Sequence, residues 1–102
     1  MSSLSASHAA FHASPLTCFS VHTDAEPTTL ARVLEVFALR ALMPARFHSV
    51  IDVAEPAPRL SVDIQVAGLA PDMAEAITRK LGAVVGVRSV LTAERSGSPL
   101  SR

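Results

Sequence analysis

The sequence contains neither Trp nor Tyr, a single Cys, only four Gly, and no excess of charge of either sign. Each shortage excludes something. Nine basic residues are set against nine acidic ones, so no long-range field gathers phosphates, and nucleic acid is not an expected partner. Cys18 alone cannot close an internal disulfide, which fits a reducing compartment. The glycines, at positions 68, 82, 86 and 97, are too scattered to form a GxGxxG turn or a phosphate-cradling P-loop. No apolar run approaches the roughly 18 residues of a membrane span. The opening MSSLSASHAAFHASP has neither the basic segment nor the sustained apolar segment of a secretory signal. These absences lead us to expect a soluble, cytoplasmic protein with no membrane partner.

What is present is a core built from small aliphatic residues. Ala, Val and Leu dominate a hydrophobic fraction of 49%, with four Phe as the only aromatic residues. A chain of 102 residues has room for one domain that buries a core without metal or disulfide staples. Residues 1–14, rich in Ser, Ala and His, lack periodicity and are expected to form a flexible arm; residues 96–102 are expected to form a flexible tail. The domain is expected over residues 15–95.

Periodicity divides that domain into six elements. LTCFSVH, Leu16 to His22, is short and apolar and predicts a strand that Thr-Asp-Ala-Glu-Pro stops. From Thr28, a candidate N-cap, the residues Leu30, Val33, Leu34, Phe37, Ala41 and Leu42 recur along one helical face, and Pro44 is expected to end that helix. A second strand is expected from Ala45 to Ala54, with Phe47, Ser49, Ile51 and Val53 on one face. Glu-Pro-Ala-Pro, residues 55 to 58, predicts a stiff turn and hence a hairpin. Arg59 to Ala67 alternates cleanly, with Leu60, Val62, Ile64 and Val66 on one side. Helical spacing returns at Asp72, Met73, Ala76, Ile77, Lys80 and Leu81. Asp72 and Glu75 are set as a capping box, and Gly82 or Gly86 is placed to close the helix in a left-handed conformation. Gly86 to Ala93 predicts the last strand. The order is the βαββαβ pattern of a ferredoxin-like α+β sandwich: a four-stranded antiparallel sheet with two helices on one face.

No catalytic constellation accompanies this pattern. His8 and His12 are spaced as a helical metal pair would be, but they sit in the N-terminal arm with no further ligand nearby. His22 and His48 fall on separate strands and read as half-exposed strand residues. Cys18, inside a strand, reads as a small apolar residue rather than a nucleophile. There is no GxSxG elbow. Strand three lacks the aromatic residues that stack RNA bases, and no CxxC is present to carry a soft metal. An acylphosphatase-like enzyme on this fold would need an anion-cradling loop with an Arg, and residues 23 to 27 supply none. We expect no enzyme activity, no cofactor and no metal.

One stretch carries a family resemblance. VHTDAEPTTLARVLEVFALRAL, residues 21 to 42, resembles the first strand, loop and helix of ACT domains, with Pro27, Leu30, Arg32 and Val33 matching. KLGAVVGVRSV, residues 80 to 90, resembles the close of that domain. Within the family the chain looks most similar to the small regulatory subunit of acetolactate synthase, an enzyme of branched-chain amino-acid biosynthesis. The resemblance implies a homodimer, a large thiamine-dependent catalytic chain as partner, and a small amino acid bound between two ACT domains. The thiamine cofactor would belong to the catalytic chain. It places the effector site at Asp24, Ala25, Glu26, Pro27, Thr28 and Thr29, with Met43 opening strand two. In this sequence Thr28 stands where the family has glycine, and Ala25 and Met43 stand where it has asparagine. A stand-alone amino-acid sensor is the alternative reading.

Overall fold

The computed structural model describes residues 15–53 and 56–95. The expected arm of residues 1–14, the tail of 96–102 and positions 54 and 55 lie outside the described residues. Six elements follow in the expected order: β1 (Leu16–Asp24), α1 (Pro27–Ala38), β2 (Arg46–Asp52), β3 (Arg59–Ala67), α2 (Pro71–Gly82) and β4 (Val87–Arg95). The strands form one antiparallel sheet in the order β2-β3-β1-β4.

Alternation along β1 and β3 sets the core. Thr17, Phe19, Val21 and Thr23 stand opposite Val66, Ile64, Val62 and Leu60, and all eight are buried. Val33, Val36 and Phe37 of α1 and Ile77 and Leu81 of α2 close over the same side of the sheet, so both helices share one face. The Phe19 and Phe37 rings meet edge to face, their centroids 5.5 Å apart and their planes at 71°. With no Trp or Tyr to fill space, this pair joins the first strand to the first helix.

Both helix starts differ from the sequence expectation for one reason. Proline at the first helical position presets φ and lacks an N–H that would otherwise need a partner, so each helix begins at its proline. Glu26, not Thr28, is the N-cap of α1, and Ala70 that of α2; neither cap makes a side-chain bond. Asp72 therefore lies inside the first turn, where its carboxylate accepts the Met73 N–H at 3.0 Å, and the Asp72–Glu75 capping box does not form.

The ends differ too. α1 stops at Ala38, well before Pro44, in a Schellman turn: the Leu42 N–H donates to the Phe37 carbonyl and the Ala41 N–H to the Ala38 carbonyl, each at 3.0 Å. Ala41 takes the left-handed position at φ 57 that glycine usually occupies. The turn returns Leu42 to the core, which is why it fitted the helical spacing although it lies outside the helix. Leu34, expected inside, is 42% exposed, and Val36 is buried instead. Gly82 is the last residue of α2, and Ala83 caps it in the right-handed region; Gly86, at φ 99, belongs to the turn into β4. β1 runs two residues past His22, because Thr23 and Asp24 continue the ladder to Leu60 and Arg59.

Candidate functional site

The β1–α1 junction is held by the turn before β4. The Asp24 N–H donates to the Gly86 carbonyl at 2.8 Å, and the Glu26 N–H donates to the Asp24 carbonyl at 2.9 Å. The buried Thr23 hydroxyl donates to that same Asp24 carbonyl at 2.7 Å. Arg88 Nε donates to Asp24 Oδ1 at 2.9 Å across partly exposed surface. The buried Thr29 hydroxyl donates to the Val85 carbonyl at 3.2 Å. It lies directly against Gly86, where a Cβ would collide with the Thr29 hydroxyl. Glycine is needed at that position both for its φ and for this approach.

The expected effector residues divide into three groups. Asp24 and Thr29 are structural anchors of the junction through the bonds just given. Ala25 is half-buried and packs on the core. Glu26, Pro27 and Thr28 are exposed around the first turn of α1. The Thr28 and Thr29 amides open the helix and have no intrahelical acceptor. Glu26, Thr28, Arg32 and Lys80 are among the residues that line a hollow of about 570 Å³ between α1 and the end of α2, floored by Val36 and Val84.

Met43 does not join them within one chain. It is 80% exposed and lies beyond the other end of α1, a 12-residue helix about 18 Å long. There it lines a separate, mainly apolar hollow with Leu34, Phe37, Ala41 and Leu42.

The other chemistry-bearing residues stay apart. His22 Nδ1 lies 3.3 Å from the Ser89 hydroxyl, whereas His48 stands opposite Asp63 on β3. Cys18 is half-buried on the uncovered face of the sheet, between Gln65 and Ala93. Among the described residues no group of three His, Cys, Asp or Glu could hold a metal ion, and no helix is long and apolar enough to cross a membrane. His8 and His12 lie outside the described residues.

Sequence reasoning missed Val85, Gly86 and Arg88, which build the junction from the far end of the chain. The available signal was Gly86 within AVVGVRS, expected as a left-handed helix close and found instead in the turn into β4.

Solved structures of other proteins share this arrangement. The ACT domain of a GTP pyrophosphokinase from Chlorobium tepidum matches over 76% of this chain and 96% of its own, at 14% identity and a TM-score of 0.61. The C-terminal domain of the MgtC protein from Mycobacterium tuberculosis matches over 86% of this chain and 95% of its own, at 12% identity and a TM-score of 0.60. An uncharacterised protein from Thermotoga maritima matches over 78% of this chain and 94% of its own, at 16% identity and a TM-score of 0.56. At these identities the likeness speaks to fold alone. No curated protein matches the chain. A family model for the ACT-like domain matches residues 10–97, which takes in every described element, and the chain therefore belongs to the ACT-like domain family.

Proposed function

We propose that this chain is a non-catalytic regulatory or stabilising subunit that works in the cytoplasm by binding other polypeptides. Its family is one of regulatory, small-molecule-binding domains. The observation that carries the association is a mainly apolar hollow left bare at the end of α1. Leu34 and Met43 are exposed there, beside Phe37 and Leu42, which pack inward. Exposed apolar surface of this kind marks a protein-binding face. The resemblance of residues 21 to 42 suggests the large catalytic chain of a thiamine-dependent acetolactate synthase as the partner. The test is co-purification with that chain and a rise in its turnover on mixing. Absence of both refutes this partner.

A second reading, an amino-acid sensor, is favoured by the open first turn of α1. The exposed Thr28 amide there is disposed to favour a carboxylate, and the neighbouring exposed Glu26 can meet an ammonium group. Calorimetry against the twenty amino acids separates the two readings: saturable binding supports the sensor, and silence supports the structural subunit.

A further inference from the structure

α2 does not seal the sheet along its whole length. Near the start of β1 a hollow of about 600 Å³ opens between α2 and β4, and Thr17, Glu75, Thr78, Arg79, Thr92 and Glu94 are among its lining residues. Thr17 lies seven residues before Asp24 on β1, about 23 Å away along an extended strand. The hollow is therefore separate from the junction at residues 24–29.

Strand alternation brings oxygen atoms to this hollow. Thr17 and Phe19 are buried on the helix-bearing face of the sheet. Their partners on β4, Glu94 and Thr92, stand on that same face. Thr17 is 5% exposed, yet its hydroxyl has no hydrogen-bond partner among the described residues. No side-chain oxygen among them is both sealed from solvent and unbonded, so the Thr17 Oγ1 opens into the hollow that it lines. Valine would give a strand the same shape without an unpaired hydroxyl.

The direction of the neighbouring hydrogen bonds is fixed. The Thr78 hydroxyl donates to the Ala74 carbonyl at 2.8 Å, since a carbonyl can only accept. That commits its proton, and in the 2.7 Å contact between the Thr78 and Thr92 hydroxyls the donor is Thr92. Thr92 Oγ1 keeps lone pairs and has no proton left to offer. Glu94 adds a carboxylate that joins no ion pair or hydrogen bond among the described residues. Glu75 and Arg79, one turn apart on α2 and both exposed, cancel in formal charge. What remains is an excess of acceptors and one negative charge, beside an apolar wall that includes Leu69 and Ala74.

We propose that this hollow binds a small primary ammonium compound, its N–H groups received by Thr17 Oγ1, Thr92 Oγ1 and the Glu94 carboxylate and its carbon chain set against Leu69 and Ala74. A primary ammonium has three donors and no acceptor, the complement of this lining. An anion would face Glu94 and the Thr92 lone pairs instead. The Thr17 hydroxyl is then a binding group that finds its partner in the ligand. The site goes beyond the association proposed above and needs no partner chain.

The experiment is an amide NMR titration of the isotopically labelled full chain with ethanolamine hydrochloride, at neutral pH and fixed ionic strength. Saturable shifts should centre on Thr17, Thr78 and Thr92, with a dissociation constant on the order of 1 mM for so small a probe. Choline keeps the charge but has no N–H, and ethylene glycol has donors but no charge. Each should bind at least roughly tenfold more weakly than ethanolamine. Thr17→Val should also weaken ethanolamine roughly tenfold, with a urea midpoint unchanged or raised, whereas Thr17→Ser should retain binding. Glu94→Gln, at an exposed position, should weaken it by roughly the same factor. Glu35→Gln, on α1, should leave it unchanged. Shifts that never saturate, equal binding of choline or ethylene glycol, or full binding by Thr17→Val or Glu94→Gln would each overturn the proposal. A lowered urea midpoint for Thr17→Val would overturn it too, by showing that the hydroxyl is already bonded within the chain. None of these outcomes bears on a catalytic chain or on an amino acid at residues 24–29.

Discussion

Replacing Gly86 by alanine should strike the junction that positions the start of α1, and its cost can be assembled from the structure. A residue with a Cβ at φ 99 is strained by about 1–2 kcal/mol. The added methyl also meets the Thr29 hydroxyl. The side chain must then move, and the Thr29 bond to Val85, worth about 1 kcal/mol, is weakened or lost. Against this, alanine restricts the unfolded chain and returns about 0.4–1 kcal/mol. The net loss is about 1–2.6 kcal/mol, which for a domain of this size lowers the thermal midpoint by roughly 4–21 °C. Urea denaturation should show a lower midpoint with an unchanged slope. A double-mutant cycle isolates the contact: Thr29→Ala should cost less in the Gly86→Ala background than in the wild type, with a coupling of at least about 0.5 kcal/mol. A cost below about 0.5 kcal/mol for Gly86→Ala, or strict additivity of the pair, would refute the argument.

Two further substitutions test the fold at separate points. Ala41 holds a left-handed position at φ 57, so Ala41→Gly should raise stability by about 0.5–1 kcal/mol, read as a higher urea midpoint. A decrease would contradict the Schellman turn. Phe37→Ala removes the ring that meets Phe19 and should cost about 3–5 kcal/mol, whereas the exposed Leu34→Ala should cost under about 1 kcal/mol. Equal losses from the two would mean that α1 is rotated from the orientation described here.

How much of this was legible in the sequence follows from the range of the interactions involved. β3 was readable residue by residue because alternation with period 2 is a local signal and Leu60 to Val66 obey it without interruption. The order of elements, and with it the sheet and its helices, followed from switches between periods. Boundaries were harder. Thr28 and Asp72 are good caps in isolation, but Pro27 and Pro71 stand just ahead of them and take the first helical position. Leu42 kept helical spacing because the core attracts apolar residues whether a helix or a tight turn delivers them. The candidate site was legible only on its local side. Residues 24–29 could be placed, but their partners Val85, Gly86 and Arg88 lie some sixty positions away, and no local pattern joins them. The exposure of β2 was also hidden, since Phe47, Ser49 and Ile51 alternate as a covered strand would; which elements the helices reach is decided by packing.

The proposed role is that of a domain that acts by binding other polypeptides, and its association with a catalytic chain tests this most directly. Mixed with the large catalytic chain of a thiamine-dependent acetolactate synthase, the intact chain should co-purify with it and raise its turnover. Failure to co-purify together with unchanged turnover would contradict it.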